Sequence, residues 1–227
     1  MTRLLASALA AVCTFALTGC NSLPQLDGAY VGPFYTPANV HGSVRLPTEL
    51  RRIVILPSAA DGPALSESTL DAIDSALRTT LTQAARAEIS PLSRDVLGQL
   101  AGRRQVVSTS LLPSNFTAFL AEKTGADAVL FVDITAYSPY PPLVLGLRAK
   151  LIDLKTGDII WAFDNLFSAA DEKVANSARR YLLVSKGTTG TPADLSYTVL
   201  QNPARFANYA AAAAWTTLPP REALPSK

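Results

Sequence analysis

An α/β domain is predicted by three features of the 227-residue sequence. Two apolar, largely β-branched runs, Ile53-Val54-Ile55-Leu56 and Ala128-Val129-Leu130-Phe131-Val132, have the pattern of strands buried on both faces. Between them, Leu70, Ile73, Leu77, Leu81 and Ala84 recur at three- and four-residue spacing, as on the buried stripe of a helix. After them, two arms of alternating character, 143–154 and 159–167, flank Lys155-Thr156-Gly157-Asp158, where glycine supplies the positive φ of a tight hairpin turn. Strands that alternate with helices and end in a hairpin make one α/β domain.

The composition limits what that domain does. With 48% hydrophobic and 17% charged residues the chain is rich enough in apolar side chains to exclude a mostly disordered protein. Twenty Lys and Arg against 18 Asp and Glu leave +2, too balanced for general attraction to nucleic acid or anionic lipid. One histidine, His41, and two cysteines, Cys13 and Cys20, are too few for a tetrahedral zinc site or a histidine-based triad. There is no Gly-x-Ser-x-Gly elbow. No catalytic, cofactor-binding or metal-binding residue is therefore expected, and the chain reads as a non-enzyme.

From the N-terminus, Arg3 precedes an uninterrupted apolar and small-residue stretch, Leu4 to Leu17. It falls short of the roughly 20 residues a helix needs to cross a bilayer, so residues 1–19 are expected to be a removable signal peptide. Residues 20–51 carry Pro24, Pro33, Pro37 and Pro47, three glycines and no helical period, the composition of an extended, flexible tether. Its aromatics Tyr30, Phe34 and Tyr35 either pack on the domain or meet a partner. His41, in the same stretch, reads as a solvated loop residue.

The domain is placed at 52–218. Its first strand ends at Pro57. A helix from about Ser66 to Ala87 has Glu67 and Asp71 near its positive end and an i,i+4 pair, Asp74 and Arg78. A short strand, 88–92, leads to Ser93, an N-cap for a helix to about Ala101. Residues 105–108 are read as extended or loop. Ser114 or Asn115 opens a helix that turns Phe116, Phe119 and Leu120 inward and ends at Gly125. Asp133 interrupts the second buried run and is read as a residue leaving the core near the sheet end, with a functional buried acid as the alternative. Ser138 to Pro142 forms a corner. In the hairpin, Leu145, Leu147, Ala149 and Leu151 form a dry face that Trp161 covers. Asp171 caps a helix to about Ser185, with Lys173, Arg179 and Arg180 on its solvated side. Lys186 to Thr191 lacks the spacing of a phosphate loop and reads as a flexible surface loop. Asn202 and Pro203 open a last helix, about 203–217, with Phe206, Tyr209, Ala213 and Thr216 on one stripe. Residues 219–227 are expected to be a flexible tail.

Leu17-Thr18-Gly19-Cys20 resembles the lipobox of bacterial lipoproteins, in which the cysteine is acylated and becomes the first residue of the mature chain. Arg3 is the sole charged side chain before Cys20, so the mature 208 residues would carry +1, and their membrane attachment would come from acyl chains, not charge. Asn21, not Asp, follows the cysteine; by the sorting rule of enteric bacteria that resemblance implies the outer membrane.

A buried Ile-Val-Ile-Leu-Pro strand, Gly125-Ala126-Asp127-Ala128 between a helix and a strand, and Asp153 to Trp161 around Thr156-Gly157 together resemble a group of envelope lipoproteins and related domains. The group comprises CsgG, LpoB and the N-terminal domain of TolB. The resemblance implies a three-layer αβα-like domain with a mixed β-sheet, held at the periplasmic face of the outer membrane. It further implies work through protein-protein contacts in envelope assembly, secretion or cell-wall regulation. The partner would be a periplasmic or outer-membrane protein, with a homo-oligomer as a further possibility. The alternative is an oligomeric component of a CsgG-like export channel, but no extra pair of ten-residue membrane-spanning arms occurs between the core elements.

Overall fold

In the computed structural model of the chain, which describes residues 27–185 and 193–221, both buried runs form strands at the centre of one sheet. The expected signal peptide, residues 20–26 of the expected tether with Cys20, the loop from Lys186 to Thr191 and the last six residues of the tail lie outside the described residues. In chain order the elements are α1 (Gly28–Val31), β1 (Val40–Gly42), β2 (Arg52–Ile55), β3 (Ala59–Ala60), α2 (Glu67–Ala84), β4 (Glu88–Pro91), α3 (Arg94–Ala101) and α4 (Phe116–Thr124). They continue with β5 (Ala128–Ser138), β6 (Val144–Asp153), β7 (Ile159–Ser168), α5 (Glu172–Ser185), α6 (Ala193–Ser196), a 3-10 turn (Tyr197–Leu200) and α7 (Pro203–Trp215).

The sheet runs β1-β7-β6-β5-β2-β4, with β3 beside β5 as its seventh strand. β2 is parallel to both β4 and β5, whereas β5, β6, β7 and β1 pair antiparallel. The mixed sheet follows from connection length: helices carry the chain between the parallel strands, and five residues, 154–158, join β6 to β7. Alternation along the strands sends Ile53, Ile55, Leu130, Val132 and Ile134 to one face and Val54, Leu56, Val129 and Phe131 to the other. On the first face they meet α2, α5 and α7; on the second, Leu97 of α3 with Phe116 and Leu120 of α4. This is the three-layer αβα arrangement, with helices on both faces of a mixed sheet.

Local chemistry sets the helix ends. Ser66 accepts the Thr69 N–H at 3.2 Å, Ser93 the Val96 N–H at 3.2 Å, and Asn202 the Arg205 N–H at 3.0 Å with Pro203 as first helical residue. Gly125 closes α4 at φ +61°, and Gly157 turns the hairpin at φ +77°. Ser93→Ala should lower stability by about 1 kcal/mol, whereas Ser93→Gly should cost only a few tenths. The midpoint of urea unfolding distinguishes them, and a Ser93→Ala chain as stable as wild type would mean the cap hydrogen bond carries nothing.

Several expectations are corrected. The segment from Asp27 onward is not a flexible tether: α1 packs on α5, β1 adds an edge strand to β7, and Leu46 and Leu50 are buried. The tyrosines divide, Tyr35 packing edge-on against Phe167 while Tyr30 stays exposed. Prolines and glycines hid this docking because it rests on long-range contacts and not on a local period. The tail does not begin at Pro219, since the Leu46 N–H donates to the Pro220 carbonyl at 3.0 Å and Arg221 bonds the Leu50 carbonyl at 3.1 Å. Of the two readings of residues 105–108 the loop holds, and Phe119, expected inward, is exposed. On α7, Phe206 and Tyr209 are buried as expected, but Thr216 is exposed and Ala213 half-buried; the buried stripe continues through Ala207, Ala210, Ala211, Ala214 and Trp215. Its small residues allow α7 to lie close to α2, where the Trp215 indole N–H donates to Thr80 Oγ1 at 3.0 Å.

Candidate functional site

The sheet places one crevice where α/β folds usually bind ligands. β2 hands the chain to α2 on the first face and β4 hands it to α3 on the second, so the carboxyl ends of two neighbouring parallel strands part. Pro57, Leu92, Asp71, Asp74 and Arg94 line that opening. Arg94 fills it, with its side chain only 6% exposed. Its Nε binds Asp71 at 3.0 Å, Nη2 binds Asp74 at 2.6 Å, and Nη1 donates to the Ser58 carbonyl at 2.9 Å. Asp74 also accepts the Ser58 N–H at 2.8 Å. Burial outweighs these partners and lifts the Asp74 carboxyl above the ordinary carboxylate range. At the mouth, Arg104 is held by Glu67 at 3.0 Å and by Asp95. The expected Asp74–Arg78 side-chain pair is not made: Arg78 bonds the Asp74 backbone carbonyl, leaving the carboxylate to Arg94.

A second polar surface lies where α3 and α4 stop covering the sheet. Strand register puts Asp164, Arg148 and Asp133 in one cross-strand row, and His41, Ala162 and Lys150 in the next. Arg148 binds Asp164 at 2.9 Å and Asp61 at 2.6 Å. Asp133 does not leave the core as expected from its position in the run. It is fully buried and accepts both the N–H and the hydroxyl of Ser108, the latter at 2.6 Å. Burial raises its carboxyl above the usual range against those hydrogen bonds. It is a loop anchor with its proton acceptors already occupied. His41 stands on β1 beside this surface, exposed and part of a strand instead of a loop.

Both depressions are thus filled by ion pairs of the protein itself. A guanidinium neutralised by two carboxylates has no net charge left to capture an anion, and carboxylates turned onto guanidinium or hydroxyl groups are not poised as general bases. Among the described residues no group of His, Cys, Asp and Glu has the arrangement of a metal site, and no helix is long and apolar enough to cross a membrane. Cys20, the one site residue the sequence singles out, lies outside the described residues. Sequence reading missed Arg94, which has no local signal, and took Arg179 for a solvated residue. Arg179 is 4% exposed and binds Asp27 at 2.5 Å, Ser196 at 2.9 Å and the Tyr197 ring at 3.7 Å.

No family model and no curated protein matches the chain. Among solved structures it is similar to the PelC dodecamer from Paraburkholderia phytofirmans, at 10% identity over 74% of this chain and 94% of that one, with a TM-score of 0.40. It is also similar to lipoprotein GNA1162 from Neisseria meningitidis, at 19% identity over 60% and 94% of the two chains, with a TM-score of 0.42. The LpoB C-terminal domain from Escherichia coli matches at 18% identity over 53% and 84%, with a TM-score of 0.33. The likeness to LpoB seen in the sequence motifs recurs, but scores this low carry no argument about what the chain does.

Proposed function

We propose that the chain is an outer-membrane lipoprotein, held by acyl chains on Cys20, whose domain works in the periplasm by docking onto other proteins. The observation that carries the non-enzymatic reading is Arg94: the crevice at the parting of β2 and β4 is occupied by the protein's own guanidinium, clamped by Asp71 and Asp74. A domain that fills its ligand crevice with a structural ion pair offers surfaces, not a reaction centre. Leu17-Thr18-Gly19-Cys20 supports the anchor and Asn21 the outer membrane. The processes that suit such a protein are envelope assembly, secretion and cell-wall regulation.

Cells fed radioactive palmitate should label the wild-type chain, and Cys20→Ser should abolish the label and release the protein from the membrane fraction. A Cys20→Ser chain that still labels would sink the anchor and the localisation with it. Crosslinking in intact cells, followed by identification of the attached protein, names the partner. A detergent-stable ring would instead favour the oligomeric channel component.

A further inference from the structure

We infer that the surface formed by α1, the C-terminal end of α5, and α6 with its following 3-10 turn lies against the lipid bilayer, holding the domain in one orientation on its membrane. The inference rests on the proposed acylation of Cys20. It begins with reach. A flexible tether of residues 20–51 would let the domain range on the order of 100 Å from its anchor, at about 3.4 Å per extended residue. Folded structure already begins at Asp27, seven residues after Cys20, so the leash is at most about 25 Å. Its domain end is pinned, because Asp27 is bound to the buried Arg179 of α5 at 2.5 Å. The part of the domain around Asp27 and Arg179 is therefore the part nearest the acyl chains.

That part is where exposed apolar side chains gather. Tyr30 and Val31 of α1 are 47% and 60% exposed, Val184 of α5 is 70% exposed, Leu195 of α6 is 53% exposed and Tyr197 is 48% exposed. These are five of the eleven large hydrophobic side chains exposed among the described residues, and the contacts of two arginines draw them together. Arg179 binds Asp27 of the segment before α1 and stacks on Tyr197. Arg180 reaches the Tyr30 carbonyl at 3.5 Å and lies over the Phe34 ring, and Val184 follows it one turn later on the same side of α5. Single exposed apolar residues are ordinary, but a gathered set marks a contact surface. Two tyrosines beside aliphatic side chains and an exposed arginine suit the interface between headgroups and acyl chains, where amphipathic rings and long cations reside. An acyl anchor combined with a second, weaker contact is also how stable and oriented attachment is reached.

The test uses the full acylated chain, purified from membranes and reconstituted into phosphatidylethanolamine–phosphatidylglycerol vesicles. Cys13 and Cys20 are the chain's only cysteines, and neither offers a free thiol once the signal is cut and Cys20 acylated. Leu195→Cys and Val184→Cys each then provide one attachment point for an environment-sensitive fluorophore. Leu111→Cys is the control, 92% exposed and in the connection between α3 and α4 on the opposite layer. Labels at 195 and 184 should emit further to the blue than the label at 111, and lose emission to lipids with brominated acyl chains. Emission at 195 and 184 as water-like and as unquenched as at 111 overturns the proposal while leaving the palmitate result, and so the anchor, intact. A blue shift without lipid quenching means a second copy covers the patch, and also overturns it. A chain that takes no palmitate overturns both readings.

Discussion

Replacing Arg94 by methionine should cost about 3–5 kcal/mol, the loss typical when one member of a buried ion pair is removed and the other is left without its counter-charge. Arg94 is 6% exposed and Asp74 14%, so neither recovers much hydration in place. The Ser58 carbonyl loses its donor in the same step. Asp71, at 65% exposure, rehydrates freely and adds little. Asp74→Leu alone should be damaging for the mirror reason, yet Arg94→Met combined with Asp74→Leu should recover much of the loss, since a packed apolar pair removes both desolvation penalties. The pH dependence has a definite sign. Burial already raises the Asp74 carboxyl above its unfolded value, and removing Arg94 raises it further. An acid with a raised folded pKa contributes most below its unfolded value near 4 and loses that contribution as pH rises through the folded one. The Arg94→Met defect should therefore shrink as pH falls toward 4. Urea unfolding at several pH values measures all of this. An Arg94→Met chain as stable as wild type would mean that the guanidinium is not committed to holding the fold and is free for a ligand, and the non-enzymatic reading would lose its main support.

What could be read in the sequence and what could not divides along the range of the interactions. β2, β5, the hairpin and the caps at Ser66, Ser93 and Asn202 are legible because their signals lie within a few residues: a β-branched run, an alternation, a serine before a periodic stretch. Trp161 covering the dry face is legible for the same reason, once Leu145 to Leu151 alternate. Arg179 looked like a surface residue because Lys173 and Arg180 share its helix. Its partner Asp27 lies 152 positions away, beyond any local pattern. The tether failed likewise, for no periodicity marks a segment whose order comes from Tyr35 donating its N–H to Ser177 and from three residues pairing with β7. A charged residue inside an apolar run reads as one leaving the core; what keeps Asp133 buried is the Ser108 loop closing over the acid, 25 positions away in the chain.

Arg179→Met should cost about 2–3 kcal/mol, somewhat below the loss at the Arg94 pair because Asp27 caps the short α1, which can swing the released carboxylate into water, whereas Asp74 is fixed inside the long helix α2. The Arg179 hydrogen bond holds the Asp27 carboxyl below the ordinary carboxylate range; burial opposes it, and the Ala29 N–H adds to it. An acid with a depressed folded pKa contributes stability that is complete above its unfolded value near 4 and disappears as pH falls through the folded one. The gap between wild type and Arg179→Met should thus be full at neutral pH and close on acidification below about 4. The structural consequence is local. With Asp27 freed and the support under Tyr197 gone, the amides of Ala29 and Tyr35 should exchange hydrogen much faster, while those of β5 and β6, in the middle of the sheet, should stay protected. The same substitution lengthens the leash, because the first fixed contact after Cys20 moves from Asp27 toward β1. On acylated protein in vesicles, lipid quenching of a label at position 195 should then weaken in the Arg179→Met background although the chain stays on the membrane. Undiminished quenching would show that the patch holds to lipid without the Asp27–Arg179 clasp.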